Sequence, residues 1–172
     1  MTYSYDSLKR LVCEIDDVEV LYPLHPNPNV AEVVRAEMNG HARIHLSPPL
    51  SYHDLLLAMQ RCWLVLTDSG GIQEEAPSFH KPVLILRDVT ERPEVVEAGA
   101  GKVIGTDARR IVSEVTALLH TPGEYRKMTE AHNPFGDGHA AERIVDLLEE
   151  WWQAPSRAVF TATSAMAKPA MA

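Results

Sequence analysis

The sequence predicts an α/β fold built on a parallel sheet with helices on both faces. Short apolar runs alternate with longer segments in which apolar residues recur at helical spacing. This alternation is typical of parallel sheets with crossover helices. Three of the runs, residues 63–67, 83–86 and 102–104, are largely apolar, as expected of strands that helices cover on each side. The arrangement is Rossmann-like, in a chain of 172 residues.

The first half of the chain predicts helices and strands in alternation. Residues 7–15 place their apolar side chains on one helical face, and residues 18–24 form a β-rich run. The prolines in residues 25–30 forbid regular structure there. The remaining predicted elements of this half are a helix at residues 30–38, a strand at residues 43–46 and a helix at residues 52–61.

The second half repeats the alternation and then changes in composition. The three apolar runs supply its strands, and Trp151 and Trp152 are expected to pack against the domain. Residues 153–172 are rich in Ala, Ser, Thr and Pro without a periodic apolar face, which predicts a disordered tail after a folded domain at residues 1–152. Helices are predicted at residues 108–120, 123–131 and 139–152.

Composition excludes several classes of function. The formal net charge of -8 is spread along the chain, which argues against non-specific nucleic-acid binding because that requires a basic face. An anionic nucleotide stays compatible, since local Arg side chains and backbone N–H groups can outweigh the global charge. No apolar run is long enough to cross a bilayer, and no signal pattern opens the chain. Cys13 and Cys62 are expected to be buried apolar residues in a reducing compartment, so a cytoplasmic protein is predicted.

The most informative motif is LTDSGGIQEEAP at residues 66–77. A buried strand stops at Asp68, turns through Ser69, Gly70 and Gly71, and continues as a helix. The glycines let a ligand approach the backbone, the helix start offers unpaired N–H groups, and Ser69 adds a hydroxyl. Such groups suit a diphosphate at the carboxyl edge of the sheet. The alternative is an ordinary strand–turn–helix with Ser69 as the N-cap.

Two groups of charged residues accompany this motif. Glu74 and Glu75 fall in the first turn of the helix, where a carboxylate either caps the helix or accepts hydrogen bonds from ribose hydroxyls. Residues 87–99, RDVTERPEVVEAG, follow the next strand and carry Arg87 and Arg92. An arginine fork suits phosphate oxygens, although a charged loop of this kind taken alone is more often a solvated surface.

These motifs, in this order, resemble the C-terminal domain of the non-hydrolysing UDP-N-acetylglucosamine 2-epimerases. The resemblance rests on DSGGIQEEAP at residues 68–77, TERPE at residues 90–94, HPNPN at residues 25–29 and NPFGDG at residues 133–138. It covers residues 17–148. It implies the C-terminal half of a GT-B-type fold, a two-domain architecture in which UDP binds mainly to the second domain.

The resemblance also implies roles for individual residues of the two main motifs. Ser69, Gly70 and Gly71 would hold the diphosphate of UDP. Glu75 would hold the ribose, and Arg92 would lie beside the phosphate and the sugar.

Two residues outside the main motifs receive expected roles from the same resemblance. The segment that contains Leu50 would lie near the uracil ring. His25 would face the interdomain cleft near a second, regulatory nucleotide-sugar site, or would only make a backbone hydrogen bond in its loop. No cofactor is implied, and His120, His132 and His139 lack the spacing of a metal site.

The activity implied by the resemblance is the interconversion of UDP-GlcNAc and UDP-ManNAc for polysaccharide biosynthesis, through elimination of UDP and its re-addition. The general acid–base groups of that reaction are expected on an N-terminal domain that this sequence lacks, so no catalytic residue is assigned. The sequence also lacks the strand and loop that open the second domain. The neighbouring strands are therefore expected to lose a hydrogen-bonded partner, and the chain is interpreted as a fragment.

The expected partners are UDP or UDP-GlcNAc and, if the enzyme is split, a separate polypeptide with the N-terminal domain. The complete enzyme is expected to be a homodimer. Two alternatives stay open: a non-catalytic UDP-sugar-binding or regulatory module, and half of a GT-B glycosyltransferase. A neighbouring gene for the N-terminal domain would favour the split enzyme, while the paired DSGGIQEE and TERPE motifs argue against the glycosyltransferase.

Overall fold

The computed structural model describes residues 5–153, which form two compact units divided after Phe135. The tail predicted at residues 153–172 lies outside the described residues except for Gln153, which ends a helix. Each predicted helix and strand is present, with ends that differ by at most two residues. The expectation that the prolines forbid regular structure in residues 25–30 is wrong for Pro28, which begins a helix, because a helix start needs no N–H from its first residue. In chain order the elements are α1 (Tyr5–Glu14), β1 (Val20–Pro23), α2 (Pro28–Met38), β2 (Ile44–Ser47), α3 (Tyr52–Arg61), β3 (Val65–Thr67), α4 (Gly70–Glu75), a 3-10 helix (Ala76–Phe79), β4 (Val83–Ile85), α5 (Pro93–Glu97), β5 (Gly101–Val103), α6 (Ala108–His120), α7 (Pro122–Thr129) and α8 (Ala140–Gln153).

Side-chain caps place the starts of three helices. Asn27 caps α2, Ser51 caps α3 and Asp107 caps α6, and each side-chain oxygen accepts a hydrogen bond from a backbone N–H of the first turn. Such a cap satisfies one of the N–H groups that a helix start leaves without an intrahelical partner. The caps on α3 and α6 therefore set how soon the chain turns back after β2 and β5.

The strands form two parallel sheets rather than one. β1 pairs with β2, and β3, β4 and β5 form a second sheet in that order. Doubly wound sheets grow outwards from a central strand, so that the second and fourth strands of the chain flank the first. The observed orders match the two arms of such a sheet, and no strand among residues 5–153 occupies the position between β1 and β3.

β4 lies at the centre of the three-stranded sheet and is buried on both faces. Leu84 packs in one cluster with side chains of α1 and α6. Val83 and Ile85 pack in another cluster with side chains of α3 and α5. Because alternate residues of a strand point to opposite faces, helices cover both faces of this sheet, and the predicted fold class is confirmed.

α1 packs against both sheets. Its Leu11 joins the cluster that contains Leu84 of β4, while its Val12 joins the cluster formed with β1, β2 and α2. Leu8 contacts both clusters. α1 therefore joins the two sheets through one apolar face.

The two cysteines differ from each other in burial. Cys13 is exposed, because α1 buries the preceding Leu11 and Val12 and turns the next side chain away from the core. Cys62 is half-buried, its thiol donates a hydrogen bond to the Met59 carbonyl oxygen at 3.2 Å, and burial raises the pKa of that thiol. The predicted burial is therefore wrong for Cys13.

The second unit contains α8. Before this helix begins, Asp137 accepts a hydrogen bond from the His139 backbone N–H at 3.1 Å, and both of its oxygens accept from the Arg143 guanidinium at 3.0 and 2.5 Å. Trp151 and Trp152 lie in the last turn of this helix, and their packing against the domain stays a prediction. Within residues 5–153, no helix is both long and apolar enough to span a membrane.

Candidate functional site

Two loops meet at the carboxyl edge of the three-stranded sheet. β3 and β4 run parallel with Thr67 opposite Ile85, and the Leu86 backbone N–H donates to the Thr67 carbonyl oxygen at 2.9 Å. The chain leaves both strands at the same edge, so the two segments that follow lie side by side. We call these segments, residues 68–75 and 87–92, the loop pair. They carry the two motifs that the sequence singled out.

Ser69 stands at the N-cap position of α4 without capping it. Its backbone is extended, and its N–H donates to the Thr67 hydroxyl oxygen at 3.0 Å. The Ser69 side chain makes no capping hydrogen bond, and its Oγ lies 3.9 Å from where a Cβ on Gly71 would be. The structure thus places the serine where the capping alternative requires, but leaves its hydroxyl available above the glycines.

Gly70 and Gly71 are not required by backbone geometry. Neither has a positive φ, and a Cβ on either would meet its neighbours only at ordinary contact distance. A methyl group at Gly70 would lie 3.8 Å from both Cζ and Nη2 of Arg92. The space that side chains would fill is therefore the space above the loop, between the Ser69 hydroxyl and the Arg92 guanidinium.

The Arg92 side chain is held by acceptors on both sides of the loop pair. Its Nε donates to Oε1 of Glu74, and its Nη1 donates to the Glu91 carbonyl oxygen at 3.1 Å. The hydrogen bond and the charge of Glu74 raise the pKa of Arg92, which therefore carries a full positive charge. Nη2 faces Gly70 and has no hydrogen-bond acceptor among the described residues.

The backbone of Arg92 is anchored to α4 through two polar side chains. Gln73 is 1% exposed, and its Oε1 accepts a hydrogen bond from the Thr90 hydroxyl at 2.5 Å. The same hydroxyl oxygen accepts from the Arg92 backbone N–H at 3.0 Å. A buried amide needs such a partner, since leaving it unpaired costs about 1–3 kcal/mol. Thr90 therefore links the two loops and holds the backbone of Arg92, the residue directly before α5.

Two polar atoms at this edge are buried and lack a partner among the described residues. They are Oε2 of Glu75 and Nε of Arg87. A buried acceptor without a donor is unusual in a folded protein, and a carboxylate oxygen accepts readily from hydroxyl groups. Of the two adjacent carboxylates, Glu75 is therefore the one with an oxygen that can still accept a hydrogen bond, because Glu74 already accepts one from Arg92.

Leu50 and His25 lie elsewhere in the first unit. Leu50 is half-buried in the connection between β2 and α3, directly before the capping Ser51. His25 is exposed after β1, and its Nδ1 accepts a hydrogen bond from the Asn27 backbone N–H at 3.1 Å. This is the local role that the sequence allowed for His25. No hydrogen bond or ion pair within residues 5–153 joins either residue to the loop pair.

Neither of two grooves in the described residues includes the loop pair. One, of about 620 Å³, lies between α1 and α6, and a smaller one lies beside β2. Within the described residues, no group of His, Cys, Asp and Glu has the arrangement of a metal site. What the loop pair offers is a fixed guanidinium, a hydroxyl, two glycines and an unpaired carboxylate oxygen, which together suit a phosphorylated ligand with hydroxyl groups.

Sequence reasoning brought Ser69, Gly70 and Arg92 to one place but missed three contacts there. Gln73 lies inside the first motif and Thr90 inside the second, yet neither was given a role. The partner of Glu74 was also missed. An internal Gln in an otherwise amphipathic pattern is a weak signal of a buried polar link, and its partner cannot be identified without the strand register.

Comparison with known proteins places this geometry in a family context. A family model described as UDP-N-acetylglucosamine 2-epimerase matches residues 1–149. A putative UDP-N-acetylglucosamine 2-epimerase of Clostridium acetobutylicum is 51% identical over 142 residues, which make up 83% of this chain and 37% of that protein. The UDP-N-acetylglucosamine 2-epimerase of Escherichia coli K12 is 51% identical over 133 residues, 77% of this chain and 35% of the relative.

Solved structures agree with the sequence comparisons. A Staphylococcus aureus protein solved together with UDP superposes with a TM-score of 0.78 at 47% identity, over 85% of this chain and 40% of that one. A UDP-GlcNAc 2-epimerase from Neisseria meningitidis bound to UDP-GlcNAc superposes with a TM-score of 0.77 at 40% identity, over 84% of this chain and 39% of that one. The chain spans about two fifths of the length of the relatives it matches.

Proposed function

Because the chain belongs to the UDP-N-acetylglucosamine 2-epimerase family, we propose that it is the UDP-binding domain of such an epimerase. The complete enzyme would interconvert UDP-GlcNAc and UDP-ManNAc. Relatives of known structure have been solved with UDP and with UDP-GlcNAc, which supports a uridine nucleotide as the ligand of this chain. The proposed location is the cytoplasm, where nucleotide sugars are made.

The diphosphate is proposed to lie above Gly70 and Gly71. The observation that carries this assignment is the position of the Arg92 guanidinium, 3.8 Å from the Cβ position of Gly70. The neighbouring Ser69 hydroxyl makes no capping hydrogen bond to the helix. An arginine with unused N–H groups is well suited to phosphate oxygens. A hydroxyl donor on the other side of the same space completes contacts to both phosphates.

The ribose is proposed to bind Glu75. Its Oε2 is buried and has no partner within residues 5–153, so a ribose hydroxyl would supply the donor that these residues do not. The segment containing Leu50 remains the proposed neighbour of the uracil ring. His25 remains the proposed contact to a second, regulatory nucleotide-sugar site, in addition to the hydrogen bond it makes in its loop.

In the proposed reaction this chain holds the part of the substrate that leaves and returns. Elimination places negative charge on the departing UDP, and a fixed cation and hydrogen-bond donors at the diphosphate stabilise that charge. The proton at C2 must be removed and replaced by acid–base groups. We assign those groups to an N-terminal domain, supplied by a separate polypeptide if the enzyme is split. A homodimer is the proposed assembly of the complete enzyme.

The sheet topology supports a requirement for a further segment. β1 and β3 each pair on one side only within residues 5–153. Unpaired strand edges carry N–H and C=O groups that another strand can satisfy. A segment that brings a parallel strand to this position would join the two sheets and stiffen the edge from which the loop pair emerges.

The test of the binding proposal is calorimetric titration of the full chain with UDP. Wild type should bind in the micromolar to millimolar range. Arg92→Ala should weaken binding by about ten-fold or more, and Ser69→Ala by about two-fold to ten-fold, from the usual values of charged and neutral hydrogen bonds. Arg109→Ala removes an exposed arginine from α6, and Ser113→Ala removes an exposed serine from the same helix.

These two control variants should bind UDP as wild type does. Equal weakening by Arg109→Ala and Arg92→Ala would contradict the assignment, because only the net charge would then matter. The absence of binding by a chain that circular dichroism shows to be folded would contradict the proposed function for the chain as it stands.

A non-catalytic UDP-sugar-binding module is the second candidate function. The groups of the loop pair that suit a nucleotide fit this candidate as well, because binding alone needs no acid–base group. Turnover of UDP-GlcNAc after the chain is mixed with the N-terminal domain of a relative would favour the split epimerase. Binding without turnover in the same mixture would favour the module.

A further inference from the structure

Glu74 is the only side-chain acceptor of the Arg92 guanidinium within the described residues. The Arg92 Nε donates to Glu74 Oε1, and the carboxylate lies in α4 while the arginine lies in the neighbouring loop. The other acceptor of this guanidinium is a backbone carbonyl, that of Glu91. The side chains of Arg92 and Glu74 are 36% and 41% exposed, so both are reachable by a ligand.

The orientation that this ion pair gives to the Arg92 guanidinium matters more for ligand binding than the strength of the pair. Glu74 accepts a hydrogen bond from Nε of the guanidinium, and the Glu91 carbonyl oxygen accepts one from Nη1. A guanidinium is planar with five N–H donors in a fixed fork. Because the group is rigid, a hydrogen bond to Nε and one to Nη1 fix the orientation of the whole plane, including Cζ and Nη2, which lie 3.8 Å from the Cβ position of Gly70.

We propose that Glu74 is a positioning residue that holds the Arg92 guanidinium over Gly70, so that its Nη2 donors face the diphosphate of the nucleotide. This inference rests on the proposed function. It adds a role for Glu74, to which the proposed function assigns none. The two adjacent carboxylates then divide their tasks, because Glu74 binds the arginine while Glu75 keeps a buried oxygen free for the ligand.

The opposite reading makes Glu74 a competitor that must release Arg92 before phosphate binds. Two observations disfavour it. The Nη2 donors are already free in the absence of ligand, so nothing has to be released. A partly exposed ion pair is also weak, and one carboxylate competes poorly with a diphosphate of higher charge. Preorganisation is therefore the larger effect, since a long side chain otherwise loses rotamer freedom on binding.

The experiment measures UDP affinity by calorimetry for wild type and for Glu74→Ala, Glu74→Gln and Glu94→Ala in the full chain. Glu74→Ala should weaken binding by about three-fold to ten-fold, the range expected for immobilising one rotamer-rich side chain. Glu74→Gln keeps an oxygen that accepts from Nε and should stay within about two-fold of wild type. Glu94→Ala is the matched control, because Glu94 also acts on Arg92 through its charge without a hydrogen bond to it.

A double-mutant cycle with Arg92→Ala separates positioning from general damage to the loop. In the Arg92→Ala background, Glu74→Ala should have no further effect on UDP affinity, because there is no guanidinium to hold. The inference would be overturned if Glu74→Ala weakened UDP binding equally in both backgrounds, or if Glu74→Ala bound UDP as tightly as wild type or more tightly. The proposed function would still hold in those cases, provided that wild type binds UDP. Failure of the folded wild-type chain to bind UDP would overturn both.

Discussion

Replacement of Arg43 by alanine is expected to loosen α1 from the sheets. The Arg43 guanidinium donates hydrogen bonds to four backbone carbonyl oxygens at and beyond the end of α1: to Ile15 and Asp16 at 2.6 Å, to Val18 at 3.3 Å, and to Val12. The bonds to Val12, Ile15 and Val18 are part-buried. A positive charge at the carboxyl end of a helix also interacts favourably with the helix dipole.

The expected loss of stability for Arg43→Ala is about 2–3 kcal/mol. A hydrogen bond from a charged group contributes about 1.5–3 kcal/mol, and a buried acceptor left unpaired costs about 1–3 kcal/mol. Partial exposure lets water replace some of these bonds, so the four contributions do not add in full. Because α1 packs against both sheets, its release removes contacts from two core clusters at once.

The assay is urea unfolding of the full chain followed by circular dichroism. With a slope of about 1–3 kcal/mol per molar urea, Arg43→Ala should lower the midpoint by about 1 M or more. Arg43→Lys should fall in between, since an ammonium cannot reach all of these carbonyls in the same planar geometry. Arg35→Ala removes an exposed arginine of α2 and should change the free energy of unfolding by less than about 0.5 kcal/mol. An equally small change for Arg43→Ala would refute the reasoning.

Two further predictions concern the core and the start of α8. Leu84→Ala should cost about 2–5 kcal/mol in the same urea assay, because Leu84 is fully buried in β4, whereas Val89→Ala at an exposed position of the same unit should cost little; equal effects would contradict the assigned core. The Arg143 guanidinium and the His139 N–H lower the pKa of Asp137 from its usual 3.8, so the support of this carboxylate for α8 is complete above that value and is lost as the pH falls below it. The chemical shifts of the Arg143 side chain should change with pH as Asp137 is protonated in wild type, and should not change in Asp137→Asn. A midpoint above pH 3.8 would contradict the pairing.

Part of the structure of the loop pair could be predicted from the sequence, and part could not. A strand that ends in Asp68-Ser-Gly-Gly and opens a helix is a local pattern, readable from glycine, a hydroxyl and the apolar run before it. The adjacency of this motif to the segment around Arg92 also followed from the sequence, because parallel strands end at one edge of a sheet. The link from Gln73 through Thr90 to the Arg92 backbone did not follow, because it depends on the register of β3 against β4.

The error at Cys13 has a plain physical origin. Cys13 was expected to be buried because its segment is apolar and helical, but which residues of α1 face the core depends on what the helix packs against. Helical periodicity defines an apolar face, and it carries no information on whether a partner surface covers that face or on which neighbour lies at its margin.

The sequence by itself determined the α/β class, the order of the elements and the membership of the chain in its family, since all three depend on local periodicity and contiguous motifs. Only the tertiary structure decided that the strands form two sheets, that Arg43 binds the end of α1, and that Glu74 rather than Glu75 holds Arg92. These features join residues that are far apart in sequence. Their energies depend on distance and orientation, which sequence spacing does not encode.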